Sequence, residues 1–189
     1  MKKFDPARAA ILDDAERLTY QDPERIVELL AIPPNGVVVD FGAGTGVYAI
    51  EIAERRPDVH VIAIDEQPTM LERILAKPRG NRANLETRLP AVIPERGGSV
   101  DRILALNVLH EIDDADLVAI RSLVRDDGMA LVIDWNPEVE RPRGPDAKHL
   151  YDRAQAVERL AQFGFAAHEE TGFPYHLAFV CRPIALATN

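Results

Sequence analysis

One stretch of this chain, Val37-Val38-Val39-Asp40-Phe41-Gly42-Ala43-Gly44-Thr45-Gly46, leads from an apolar run through alternating glycines into a helical pattern. Glycines in such a turn let the backbone approach a ligand where side chains would block it. The spacing is Gly-x-Gly-x-Gly. A dinucleotide fingerprint sets its third glycine one place later, where this chain has Val47. Asp40, just ahead of the glycines, suits a ligand carrying an ammonium group and would repel a pyrophosphate. Asp65 closes the next apolar run, the place where a carboxylate accepts hydrogen bonds from ribose hydroxyls. Together these residues predict a site for a nucleoside with a cationic amino-acid tail. A tight turn with a surface aspartate is the bland alternative, and it leaves the strand-loop-helix-strand-Asp order unexplained.

The elements around these residues form an α/β pattern. Apolar runs at 37–41, 59–64, 85–89, 102–107 and 129–134 read as strands. Helical patterns at 48–55, 68–76 and 114–125 separate them, with a turn at Asp127-Gly128. Continuous apolar strands between helices indicate a parallel sheet covered on both faces. The end of the chain differs. A helix over 147–163 is stopped by Gly164, and strands follow at 165–170 and 176–181. The link from Thr171 to Tyr175 is too short for a crossover, so this pair must be antiparallel. Ahead of the first strand lie amphipathic segments at 5–19 and 23–30, opened by Asp5-Pro6 and Asp22-Pro23, each an Asp cap with Pro in the first turn. Residues 1–31 are therefore expected as an N-terminal helical segment, a lid over the site or simple helical packing, and 32–189 as one folded ligand-binding unit.

Composition narrows the classes. The 189 residues suit one domain with a sizeable core. The net charge is -9 and the basic residues are scattered, which disfavours a polynucleotide partner, whose phosphates call for a basic stripe. No apolar run is long enough to span a bilayer and no signal-peptide core follows Met1, so a soluble, cytoplasmic protein is expected. Cys181 is the only cysteine; it excludes an internal disulfide and reads as a buried, inert thiol. His110-Glu111 runs into Asp113-Asp114 and is not His-Glu-x-x-His, so no metal is expected. Asp113 or Asp114 reads as a helix cap.

On Asp40 to Gly46, Ala63-Ile64-Asp65-Glu66-Gln67-Pro68-Thr69-Met70-Leu71 and Asn107-Val108-Leu109-His110-Glu111, the chain resembles the class I S-adenosylmethionine-dependent methyltransferases. Lys3-Phe4-Asp5-Pro6, Ile133-Asp134-Trp135, Gly144-Pro145 and Pro174-Tyr175-His176 extend the likeness over nearly the whole chain. It is most similar to the small-molecule branch that includes the ubiquinone/menaquinone-biosynthesis and arsenite methyltransferases. The resemblance implies a Rossmann-like, seven-stranded, mostly parallel sheet in the order 3-2-1-4-5-7-6, with strand 7 antiparallel. It implies S-adenosyl-L-methionine as cofactor and S-adenosyl-L-homocysteine as product. Gly42, Gly44 and Gly46 would pass under the methionine part, Asp65 would hold the ribose, and Asn107 would lie near the methionine part and the sulfonium; Asp40, Ala43 and Glu66 would bind the cofactor with them. Many relatives carry an acid after the third strand for the adenine amino group; Leu89-Pro90-Ala91 has none, so either backbone groups there would hold the base or the affinity would be weaker.

Ligands of open α/β sheets bind beyond the carboxyl ends of the strands. With the implied strand order, Asn107, His110, Glu111, Trp135, His149, Tyr175 and His176 fall at that edge. His110 is expected as an acceptor-side base assisted by His149 or His176, or else as a loop-holding residue. Tyr20, Glu111, Trp135 and Tyr175 are expected to face the acceptor. Val108-Leu109 after Asn107 departs from the Pro-Pro-aromatic sequence of amino-methylating nucleic-acid enzymes, and a lone Cys181 opposes arsenic chemistry. In-line methyl transfer to a small molecule is the reading that follows. A noncatalytic module of the same fold and a nicotinamide-dependent oxidoreductase are the alternatives.

Overall fold

Val37–Phe41 (β1), His60–Ile64 (β2), Leu85–Arg88 (β3), Val100–Leu106 (β4), Val124–Trp135 (β5), Phe165–Glu170 (β6) and His176–Pro183 (β7) form one sheet in the order β3-β2-β1-β4-β5-β7-β6. The computed structural model describes residues 4–90 and 98–184. Met1, Lys3 and Ala91 lie outside them. Pairing is parallel from β3 to β5, while β7 runs antiparallel to both β5 and β6.

Alternation within the apolar strands splits the core into two layers. Val38, Val61, Ala63, Leu104, Leu131 and Ile133 point to one face, with residues of Pro23–Leu30 (α2), Val47–Arg55 (α3) and Pro68–Ala76 (α4) against them. Val39, Phe41, Ile62, Ile64, Ile103 and Val132 point to the other, under Asp114–Leu123 (α5) and Arg153–Gln162 (α6). Burial of both faces explains why these strands are apolar throughout instead of alternating with polar residues.

Local chemistry sets the element ends. The Asp22 side chain accepts from Glu24 N at 2.9 Å to start α2. Asp113 and Asp116 form a reciprocal capping box on α5. Three expectations need correction. The segment over 5–19 starts at the Asp5 cap as expected, but it is a 3-10 helix, Pro6–Asp13, followed by a short helix, Arg17–Tyr20 (α1). The helix over 147–163 is a 3-10 turn, Ala147–His149, and then α6, because Asp152 and Gln155 make a second capping box that starts a new helix. Strand β5 begins at Val124, ahead of Asp127-Gly128, because Val124 already pairs with Val100 across an irregularity in the ladder. Among the described residues no helix is long and apolar enough to cross a membrane.

Candidate functional site

The carboxyl ends of β1, β2 and β4 open onto a cavity of about 460 Å³. The glycine loop forms its floor. Gly42 N and Ala43 N both donate to Ile64 O, each at 2.9 Å, which draws the loop against the end of β2. Gly42 and Gly44 have φ of 74° and 55°, where a side chain is strained. A Cβ on Gly42 would sit 2.5 Å from Val108 Cγ1 and one on Gly44 3.0 Å from Leu12 Cδ1. Asp65 locks the arrangement: Gly44 N donates to its Oδ2 at 2.8 Å and Gln67 N to its Oδ1 at 2.9 Å.

Charge in the cavity is specific. Asp40 is 3% exposed, and burial pushes its carboxyl up to about 7 despite the N–H of Ala49. Burial also raises Asp65, against the N–H bonds from Gln67 and Gly44. Arg17 is the lone cation lining the cavity among the described residues. It is buried, donates to Leu12 O at 2.6 Å and lies 5.5 Å from the centre of the Tyr48 ring. Asn107, at φ 58°, donates its N–H to Ile133 O at 2.7 Å, and its Oδ1 is buried without a partner.

The N-terminal segment covers this space. Phe4 N donates to Glu111 Oε2, and Gln67 Nε2 donates to Phe4 O, each at 3.0 Å. Thr45 Oγ1 and Lys77 Nζ both donate to Asp13 Oδ1, at 2.7 and 2.6 Å. Phe4 and Leu12 therefore line the cavity together with Arg17.

Of the residues singled out in the sequence, Asp40, Gly42, Ala43, Gly44, Asp65, Glu66, Leu89, Pro90, Asn107 and Glu111 line the cavity. Gly46 does not. Its φ of 73° starts α3, and a Cβ there would meet Ile74 Cγ1 at 2.6 Å, so it serves helix packing. Nor do the three histidines converge on one mouth. His110 Nδ1 lies 2.9 Å from both Asp134 oxygens, and Nε2 lies 3.4 Å from Glu111 Oε1. Burial opposes its charge, but the hydrogen bonds with Asp134 and Glu111 prevail and push its pKa up to about 9. His110 does not line the cavity, and its ring is held by Asp134 and Glu111, so the geometry favours the loop-holding role over the base role. His149 is exposed in its 3-10 turn. His176 is buried beside Trp135, and burial, with Arg17 and Arg141 nearby, pushes its pKa down to about 3. Tyr20, Trp135 and Tyr175 gather around it rather than in the cavity. Arg17, Tyr48 and Leu12 escaped the sequence reading. They sit on helical patterns whose apolar spacing is explained by packing alone, and nothing in their spacing marks them as ligand-facing.

A model of the methyltransferase domain matches residues 39–130. A crystal structure of an S-adenosylmethionine-dependent methyltransferase from Aquifex aeolicus superposes with a TM-score of 0.85 and 25% identity, covering 95% of this chain and 98% of that one. This is the fold of the class I S-adenosylmethionine-dependent methyltransferases. The chain is also 31% identical over 77 residues to a release factor glutamine methyltransferase of Mycolicibacterium smegmatis, 39% of this chain and 27% of that protein. It is 28% identical over 132 residues to a ubiquinone/menaquinone biosynthesis C-methyltransferase of Geotalea daltonii, 66% of this chain and 54% of that protein. The chain thus spans from about a quarter to about half the length of these curated relatives.

The fold and the domain match point to S-adenosylmethionine as the cofactor. The cavity fits that group on its own terms. Gly42 and Gly44 keep the floor free of side chains, buried carboxylates at Asp40 and Asp65 suit an ammonium and ribose hydroxyls, and Arg17 suits a carboxylate. Asn107 also lines the cavity, and its Oδ1 is buried without a hydrogen-bond partner. Among the described residues, no group of three or more His, Cys, Asp or Glu is placed to hold a metal ion.

Proposed function

We propose that this chain is an active methyltransferase whose acceptor is a small molecule. One observation carries the reading: two buried carboxylates, one buried guanidinium and one unpartnered amide oxygen line a single cavity at the carboxyl edge of the sheet. That set complements a cation-bearing amino-acid tail on a nucleoside, and it is ill suited to the phosphates of a dinucleotide.

When bound, S-adenosylmethionine supplies a methyl group on positively charged sulfur; the carbon–sulfur bond breaks as an acceptor lone pair bonds to the methyl, and S-adenosylhomocysteine remains. The residues of this chain position and shield. Asp40 holds the ammonium and Arg17 the carboxylate of the methionine part. Asp65, with Glu66, takes the ribose hydroxyls. Leu89 and Pro90 would hold the base, and Asn107 would serve the methionine part near the sulfonium. Phe4, Leu12 and Tyr48 keep water out, with the N-terminal segment acting as a lid. Positioning of this kind suffices for an already activated methyl donor. His110 acts through others: with Asp134 it orders the loop after β4 and steadies Glu111, which in turn holds the Phe4 N–H.

The small-molecule acceptor follows from the cover. A segment bridging from Phe4 to Glu111 and from Asp13 to Thr45 covers the cavity, which suits a small acceptor better than a polymer, and the net charge of -9 disfavours a nucleic acid. Calorimetric titration tests the reading, with S-adenosylmethionine and S-adenosylhomocysteine expected to bind and NADH expected not to. Tight NADH binding, or no binding of either sulfur ligand to folded protein, would overturn it.

A further inference from the structure

Beside the cofactor cavity, the same edge of the sheet carries a second constellation. Trp135 ends β5, His176 opens β7, the two are paired across the sheet, and their ring centres lie 4.2 Å apart. Tyr20 of α1 stacks against His176 at 5.9 Å and meets Tyr175 edge-on at 5.5 Å. From the segment after β5, the Arg141 guanidinium lies 5.9 Å from the centre of the Trp135 ring. Gly144 presses on both: a Cβ there would sit 2.9 Å from Arg141 Nη1 and 3.1 Å from Trp135 Cδ2.

The polar groups of this cluster are one-sided. The Gln21 amide, whose Oε1 accepts from Tyr48 Oη at 3.3 Å, places its Nε2 3.0 Å from His176 Nε2. Nε2 of His176 is then the acceptor, and the ring proton sits on Nδ1. His176 Nδ1, Tyr20 Oη and both Nε and Nη1 of Arg141 are buried without a hydrogen-bond partner. All are donors. Tyr20 and His176 are 5% and 6% exposed, so solvent does not serve them. Arg141 makes no ion pair among the described residues, although acids outnumber Lys and Arg by 31 to 22. Its neighbour Arg143 takes Asp14 and Glu16. Arg141 as a whole is half-buried, but its Nε and Nη1 are out of reach of water, and unpaired guanidinium donors are costly to keep there, which argues that this group awaits an anion. Arg17 serves the cofactor carboxylate in the reading above, so the second cation is left for the other substrate.

We propose that this cluster is the acceptor subsite and that it takes a planar aromatic molecule bearing a carboxylate, the anion on Arg141 and the ring against Trp135. Tyr20 Oη and the Nδ1–H of His176 complete the donor set. The cluster adjoins the cofactor cavity through two links: the Tyr48–Gln21–His176 hydrogen bonds, and β5, where Ile133 accepts from Asn107 N two residues before Trp135. Entry requires α1 to lift with Tyr20. The pairs from Arg143 to Asp14 and Glu16 that tie this region down are partly exposed and weak. The proposal rests on the methyltransferase reading, so its test must separate the two.

Trp135 is the only tryptophan, so fluorescence excited on the red side of the tyrosine band reports this cluster alone. The full-length protein, saturated with S-adenosylhomocysteine, is titrated with benzoate, with benzamide as its neutral isostere, and with cyclohexanecarboxylate as its non-planar counterpart. Benzoate is expected to give a saturable signal, with each of the other two binding at least about ten-fold more weakly. Arg141→Met should bring benzoate down to the level of benzamide, and Arg141→Lys should recover part of the loss. S-adenosylhomocysteine affinity, measured by calorimetry on the same samples, should stay within about two-fold in both variants. No saturable benzoate signal, benzamide binding as well as benzoate, or an Arg141→Met variant that still prefers benzoate would each overturn the proposal. The wild-type comparison stands even if a variant fails to fold. Failure of S-adenosylhomocysteine to bind would instead strike the methyltransferase reading.

Discussion

The two halves of the carboxyl edge are built in different ways. The cofactor half, over β1, β2 and β4, is made largely of backbone: a contiguous glycine loop, N–H groups donated to Ile64 O and to Asp65, and carboxylates at strand ends. The aromatic half, over β5 and β7, is made of side chains brought from Tyr20, Trp135, Arg141, Tyr175 and His176. Each half contains a buried histidine, and their environments are opposite. His110 sits between carboxylates and is charged; His176 sits among rings and between cations and is neutral. A site that binds through backbone tolerates little change at its glycines, whereas one that binds through side chains depends on which residues the fold happens to bring together.

The largest expected effect breaks the backbone half. Gly42→Ala puts a methyl at strained φ against Val108, and S-adenosylhomocysteine affinity should fall by at least about 100-fold, or about 2.7 kcal/mol. Unchanged affinity by calorimetry would mean the loop is not the binding floor. Next, His110→Ala leaves the Asp134 carboxylate buried without its charged partner. Denaturant unfolding should show a loss of about 2 kcal/mol, while cofactor affinity changes little.

The histidine contrast predicts a signature in pH. The folded pKa of His110, about 9, is above its ordinary 6.5, so the folded state binds the extra proton. Its stabilising contribution is complete below pH 6.5 and is lost as pH rises through 9. His176 is depressed from 6.5 to about 3, so the unfolded state binds the proton. Its contribution is present above pH 6.5 and is lost as pH falls toward 3. Urea midpoints across pH should therefore decline on both flanks. His110→Asn should flatten only the alkaline flank and His176→Phe only the acid one; a variant that flattens the opposite flank would reverse the assignment. The smallest effect concerns Asp40, near half-protonated at neutrality with a pKa of about 7. Binding of an ammonium beside it should release about half a proton at pH 7, read as a dependence of calorimetric heat on buffer ionisation enthalpy. Equal heats in all buffers would separate Asp40 from the ammonium.

Legibility followed the same division. The strands and the terminal hairpin could be read because burial on both faces forces continuous apolar runs, and because Thr171 to Tyr175 cannot span a crossover; the strand order came from the family resemblance and matches the sheet. The cavity floor could be read because close backbone approach demands glycine at fixed spacing. The histidines misled because a residue type at a strand end does not reveal its neighbours. The Asp134 carboxylate beside His110 and the Gln21 amide on His176 come from positions 24 and 155 residues away. The helix break before Asp152 was in principle visible in its Asp-x-x-Gln pattern, which periodicity over 147–163 outweighed.

The sequence by itself determined the sheet, the glycine loop and the chemistry of the ligand that loop can hold, because these depend on local backbone sterics and on hydrophobic periodicity. Tertiary structure alone decided which histidine carries charge, that Arg17 enters the cavity and that Arg141 is left without a counter-ion. Those properties depend on desolvation and on partners distant in sequence, and both exist only once the chain has folded.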